Sequence, residues 1–360
     1  VLLTAATLLA AMQLFAQTTL TAVPTKDRKI VKRWALPGDP RGVAIGADGT
    51  VYAGLAEPQA VVAINPATGA VKQRVVLDSA EIASTKELVT LRTNADRTRL
   101  FIANGSDESA SILSLPNLAV LREITTEGET IRDVLPDPQG RYVYLLGRRV
   151  HVYDGNAEKE LRTVGASDPM AIAVSANGKY LAIVATEDFG NAKATSVALY
   201  ETASFAEVAR DPLQTTETIE AAMFANGDRA LVALSREHLY EKPLVSRPAP
   251  SMERQNGETR VMRMRIDFGD LVNSDRVCLP VGSGPQIAAF AGNDTNLVYA
   301  ERRCDASGAF FGSQRAVTPA SLYGVSAYAI AFDKTKSTLV ATDRAGFLTI
   351  YNLPHPALAH

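Results

Sequence analysis

The stretch whose reading decides the fold is "PMAIAVSANGKYLAIVAT", Pro169 to Thr186. A run of small apolar residues leads to an Asx/Gly turn, and a β-branched run resumes at Tyr180. Asn and Gly tolerate the positive φ that a tight turn between antiparallel strands requires. The segment therefore reads strand, turn, strand. Echoes of it lie along the chain: "PRGVAIGADGTVYAGL" from Pro40, "VLPDPQGRYVYLLG" from Val134 and "AAMFANGDRALVAL" from Ala221.

Anchoring on the turn gives "GADG" ending at Gly49, "NADR" at Arg97, "DPQG" at Gly140, "SANG" at Gly178 and "FANG" at Gly227. Weaker copies are "AGND" ending at Asp294 and "DKTK" ending at Lys336, which makes seven units. The steps between these ends are 48, 43, 38, 49, 67 and 42 residues, so only the fifth unit is greatly enlarged. Such a period calls for a repeat architecture. Each unit has the same grammar. After the first two strands comes a third ending near a Tyr ("RVHVYD", "SVALYE", "FLTIYN") and a fourth such as "KQRVVL" or "ELRTVG". No amphipathic helix interrupts the pattern after residue 30. Small residues on the first strand suit a crowded centre, and four-stranded sheets repeated radially make a β-propeller.

The ends complement one another. The last unit supplies "YAIAFD", "TLVATD" and "FLTIYNL" and stops at Pro354 without a fourth strand, leaving 354–360 as a tail. "KIVKRWALP", Lys29 to Pro37, directly precedes a first-strand motif and has the character of the missing strand. The sequence thus predicts an all-β, seven-bladed β-propeller over 29–353, its ring closed by the N-terminal strand completing the last blade.

The pattern P-x-x-I-A-V-S-x-x-G-K-Y-L-x-V resembles the YVTN-type seven-bladed propellers, relatives of WD40-like repeats in exported bacterial proteins. The resemblance covers about residues 29 to 353, and its best copy is Pro169 to Ala185. It departs most at "YEKPLVSRPAPSMERQNGETR" and "DASGAFFGSQRAVTPAS" in the fifth and sixth units. It implies a fold more than an activity, because such propellers include lactonases, cofactor-linked dehydrogenase subunits and binding scaffolds.

Composition narrows the function classes. The chain has 360 residues, 46% hydrophobic and 21% charged, with a net charge of −2. That describes a folded globular protein with no global field favouring nucleic acid or an anionic membrane. The uncharged run Val1 to Phe15 is short for a bilayer span but suits the apolar core of a secretory signal; a buried N-terminal helix is the other reading. Residues 1–16 are expected to be a signal peptide, with cleavage after Ala16 or after Ala22, and the mature protein to be periplasmic or secreted, without a membrane span. Cys278 and Cys304 either form a disulfide, worth about 3 kcal/mol at that loop length, or stay as two buried thiols.

Reactive machinery is sparse. There is no G-x-S-x-G elbow, P-loop or C-x-x-C-H haem site, and no metal site or cofactor is evident. Glycine-rich "GSGP" at Gly282 to Pro285 reads as a tight link between blades. His151 alternates within a strand, and His238 stands alone near the long insertion. Asp48, Asp137 and Asp333 fall in turns, where carboxylates cap local backbone donors. The sequons at Asn104 and Asn293 matter only in a glycosylating host.

Propeller geometry places the links entering first strands around one rim of the central channel. Aligning the units on Arg41 gives Arg41, Val89, Arg132, Met170, Ile219, Gln286 and Tyr328, with Asp133 and Glu220 one residue deeper. Arg41, Arg132, Asp133, Glu220, Gln286 and Tyr328 are the candidate rim residues for a small anionic or hydroxylated ligand; solvated loop residues around a water-filled channel are the plainer alternative. The insertion Leu239 to Arg260 reads as the longest irregular stretch, suited to a lid or a docking arm, or else disordered. A binding or scaffold protein recognising a small molecule or a protein partner is the favoured reading. A lactonase-like hydrolase, or a propeller subunit of a redox enzyme complex, is the alternative.

Overall fold

A computed structural model of the chain describes residues 19–24, 30–56, 59–77, 90–104, 108–126, 128–165, 168–188, 193–213, 215–225, 227–235, 238–248, 264–268, 272–276, 291–292, 296–303, 306–313, 316–317, 327–333, 336, 338–343 and 345–352. Among them every helix or strand element is a strand. β1 (Ile30–Ala35) precedes β2 to β5 (Pro40–Ile45, Val51–Ala56, Gln59–Ile64, Val71–Val76) and β6 to β9 (Thr90–Thr93, Arg99–Ala103, Ser109–Ser114, Val120–Thr125). β10 to β13 follow (Asp133–Pro136, Tyr142–Leu146, Val150–Asp154, Glu160–Val164), then β14 to β17 (Pro169–Val174, Tyr180–Asp188, Lys193–Glu201, Glu207–Pro212). β18 to β22 span Ile219–Ala225, Ala230–Ser235, His238–Pro248, Met264–Phe268 and Val272–Arg276. The rest are β23 to β26 (Ala291–Gly292, Asn296–Arg303, Ala306–Ser313, Ala316–Val317) and β27 to β29 (Ala327–Asp333, Thr338–Asp343, Phe347–Asn352).

The described strands form seven antiparallel sheets, each built from consecutive strands except the last, which runs β1-β29-β28-β27. First strands lie side by side: β2 touches β6 and β27, β6 touches β10, β10 touches β14, β14 touches β18, and β23 touches β27. Sheets whose first strands converge on a common centre make a β-propeller. The core follows from strand alternation. Val43 and Ile45 pack toward the last sheet with Ala329 and Val340. Ala44 between them packs toward the second sheet with Leu91 and Leu100. Equivalent clusters fill the spaces between the second and third, third and fourth, and fourth and fifth sheets.

The repeat-defining turns behave as their residues dictate. Gly49, Gly140, Gly178 and Gly227 end their turns with φ between +60° and +84°, and Arg97 takes φ 57° at the same place. Asp48 accepts from Thr50 N at 2.8 Å and Asp137 from Arg141 N at 3.0 Å, the expected capping roles. Asp333 differs: it is the buried last residue of β27 and pairs with Arg97 at 3.6 Å.

β1 completes the last sheet as expected, with Trp34 opposite Leu348 and Ala35 opposite Phe347. Arg33 reinforces the seam by binding Asp343 at 3.1 Å and stacking over Phe347 at 4.0 Å. One expectation is corrected. The segment read as irregular from Leu239 begins instead as β20, an eleven-residue strand whose first part pairs with β22 and whose second part pairs with β21. One edge of β20 pairs with the preceding β19, while β21 and β22 on its other edge lie beyond the insertion in sequence, and the prolines and charges of the segment concealed the strand. Residues 249–260, residues 1–18, Cys278, Cys304, Gln286, the link at Gly282 to Pro285 and residues 354–360 lie outside the described residues.

Candidate rim site

Strand register places the predicted rim positions. Pro169 pairs with Ala185 and Ala171 with Val184, so Met170 is an extra, bulged residue. The same offset leaves Glu220 bulged between Ile219 and Ala221, and Tyr328 between Ala327 and Ala329. On β2, Arg41 falls in the interval between the Pro40 and Val43 pairings. Bulges interrupt pairing and re-aim side chains at the ends of strands. The equivalent series is therefore Arg41, Arg132, Met170, Glu220 and Tyr328. Glu220 replaces Ile219 in the alignment read from sequence, and Asp133 stays one residue deeper. Gln286 and Val89 lie outside the described residues, and Tyr328 is placed by its backbone.

The charges at this rim differ in how they are neutralised. Arg41 is 4% exposed and donates to Asp39 at 2.6 Å. Asp133 is buried and accepts from Arg92 of the neighbouring sheet at 2.8 and 3.3 Å, and also from its own neighbour Val134 N. Burial opposes the Arg92 charge, but Asp133 outweighs it and holds the guanidinium pKa above its ordinary value. Arg132 is held differently. Its Nη2 donates to the Gly147 carbonyl at 2.8 Å and to the Pro169 carbonyl, fastening the third sheet's loop to the fourth sheet's first strand. Among the described residues it makes no ion pair. Burial pushes its pKa down, opposed in part by Asp168.

Beside Arg132 lies a cluster that sequence reading missed. His151, on β12, is held by Glu160 at Nδ1 and by Glu129 at Nε2, each at 2.9 Å. Glu129 also accepts from Arg148 N at 3.1 Å, and Tyr153 donates to Glu160 at 3.4 Å. Burial works against a charged imidazole, but the two carboxylates outweigh it and raise its pKa. Glu129 is shifted the opposite way: burial would raise its pKa, and the His151 hydrogen bond turns it downward. The β12–β13 pairing of Tyr153 with Glu160 was a local signal for half of this cluster. Glu129 arrives from the preceding link and had none. Asn104 is also settled: it is buried, with its amide nitrogen donating to Ser109 Oγ at 2.8 Å, so the folded chain does not present it for glycosylation.

No family model matches the chain, and no curated protein matches it in sequence. Its structure is similar to the β-propeller domain of Cps50 (Swd1) from Myceliophteria thermophila, with TM-score 0.64, 10% identity, and coverage of 94% of this chain and 100% of that one. It is also similar to hydrazine synthase from Kuenenia stuttgartiensis, with TM-score 0.60, 14% identity, and coverage of 88% and 96%. At these identities the likeness concerns the fold.

Proposed function

We propose that this chain is an exported, periplasmic or secreted seven-bladed propeller of the YVTN type. It serves as a binding scaffold that takes a small anionic or hydroxylated ligand, or a protein partner carrying such a group, at the rim where first strands begin. The observation that carries this reading is Arg132. Arg41 and Arg92 are neutralised by Asp39 and Asp133, whereas Arg132 is oriented by two backbone carbonyls and faces no carboxylate within ion-pair distance among the described residues. A half-buried guanidinium held in place this way is pre-organised for an incoming carboxylate or phosphate oxygen, whose binding would restore the charge balance that burial disfavours.

The test is calorimetric titration with a panel of small anions, beginning with inorganic phosphate and citrate, on the protein and on Arg132→Ala. A charge-assisted contact contributes about 1.5–3 kcal/mol, so the substitution should weaken binding roughly ten- to a hundredfold. Asp48→Ala, in a turn at the other end of the first strand, should leave binding unchanged. Equal affinities for Arg132→Ala and the parent would remove the rim from consideration.

A further inference from the structure

The first described residues are built into the seam of the ring. Leu20 N donates to the Gly69 carbonyl at 2.9 Å, Val23 N to the Arg33 carbonyl at 2.9 Å, and Ala35 N to the Thr21 carbonyl at 3.0 Å. Thr19 and Ala22 form antiparallel bridges with Ala70 and Trp34. The segment therefore runs along the outer edge of β1 in the last sheet and reaches the β4–β5 turn of the first. Leu20, 7% exposed, packs in the same cluster as Trp34, Leu36, Val43 and Leu348, which joins those two sheets. Trp34 is fixed in turn. Its Nε1 donates to the Pro66 carbonyl at 3.1 Å, and its ring lies so close to Gly69 that a Cβ there would sit 2.6 Å from it.

We infer that Thr19–Val23 is a clasp over the closing seam, and that the leader is cut at the Ala16–Gln17 bond and not after Ala22. The second half rests on the export reading above. By sequence the two cleavage points are equivalent, each an Ala with a Leu two residues before it. They are not equivalent structurally. A cut after Ala22 removes the Leu20 side chain from the core, the Leu20 and Thr21 backbone hydrogen bonds, and both bridges. It leaves the outer edge of β1 open, the kind of unpaired edge that proteins cover or charge. A cut after Ala16 leaves the whole clasp in place. The reaction is hydrolysis by a secretory endopeptidase: water adds its hydroxyl to the Ala16 carbonyl carbon and a proton to the Gln17 nitrogen as the peptide bond breaks. The clasp is useful where it lies because the ring is closed at this seam by β1, a strand from the opposite end of the chain to its partners. Without the clasp, β1 is held to the first sheet by the short link into β2 and by side chains such as Trp34.

Two recombinant chains test this, one beginning at Gln17 and one at Val23, read by melting temperature and by the emission of Trp34, the chain's single tryptophan. The Val23 chain is expected to melt roughly 4–8 °C lower, from the loss of one buried leucine and its backbone contacts, and to emit further to the red. Leu20→Asp in the longer chain gives the same reading if the shorter one does not fold. Matching melts and spectra for all three would overturn the clasp. N-terminal sequencing of the exported protein tests the cut. A start at Gln17 supports it, and a start at Val23 refutes it. A chain retained in the cell with its leader intact refutes both export and the cut, while the melts still decide the clasp.

Discussion

Replacing His151 is the perturbation whose consequences the structure defines best. Its ring nitrogens meet Glu129 and Glu160 at 2.9 Å each, and the carboxylate side chains are 20% and 40% exposed. A hydrogen bond to a charged group contributes about 1.5–3 kcal/mol when sheltered, which suits Glu129. The more exposed Glu160 is screened by solvent and contributes at most about 1 kcal/mol. Gln in place of His keeps one donor and loses the cationic ring between two anions, so His151→Gln should cost roughly 1–3 kcal/mol. At this chain length that is about 2–6 °C in melting temperature. The pH dependence carries the sharper signature. The pKa of His151 is raised above its unfolded value of 6.5, so its contribution is complete below that pH and lost as pH rises through the folded value. The pKa of Glu129 is lowered, so its contribution is complete above the ordinary value of 4.5 and lost as pH falls through the folded one. Thermal unfolding of the parent and His151→Gln, measured in steps between about pH 5 and pH 9, should show the largest gap near the acid end of that range and a closing gap toward the alkaline end. A gap that stays constant throughout would mean that the imidazole acts by packing and that the charge argument is wrong.

Two further substitutions probe the rim and the seam. Asp133→Asn leaves Arg92 with its charge and no anionic partner among the described residues, and should cost about 1–3 kcal/mol in urea unfolding, less than a fully buried pair because the Arg92 side chain is a quarter exposed; Arg92→Met in the same chain should recover part of the loss. Gly69→Ala puts a Cβ against the Trp34 ring at a residue with φ +72°, so a loss of about 2–4 kcal/mol together with altered Trp34 emission is expected, and an unchanged spectrum would contradict the packing described.

What was legible in the sequence is what repeats. The turn ending at Gly178 can be recognised in the turns ending at Gly49, Gly140 and Gly227 because positive φ restricts the residue at that place, and a restriction met several times rises above the noise of any single copy. Closure was legible for a related reason: a unit lacking its fourth strand and a lone strand before the first unit imply each other, and β1 does pair with β29. β20 was obscured because its composition, with prolines and charges, resembles a loop; it pairs with the preceding β19 on one edge, and the strands on its other edge, β21 and β22, arrive only after the insertion. Bulges hid in a similar way. Ile219 and Glu220 differ by one position in the sequence, and only pairing with β19 shows which of them is the extra residue.

The rim could be located from sequence but not balanced electrostatically, and the difference follows from where counter-charges come from. Asp39 sits two residues from Arg41, yet nothing local distinguishes it from any other acidic loop residue. The partner of Asp133 lies 41 positions earlier, on the neighbouring sheet, and Glu129 and Glu160 approach His151 from either side of its strand. A count of rim charges therefore treats Arg41 and Arg132 alike, whereas their surroundings divide them. A cation already facing a carboxylate must give up that contact before it can engage a ligand, so most of the new bond's energy is offset by the one lost. Arg132 faces only carbonyl dipoles at its Nη2, and those it can keep while its remaining nitrogens engage an anion. For that reason the expected loss on ligand binding is larger for Arg132→Ala than for Arg41→Ala, even though the two residues occupy equivalent positions around the ring.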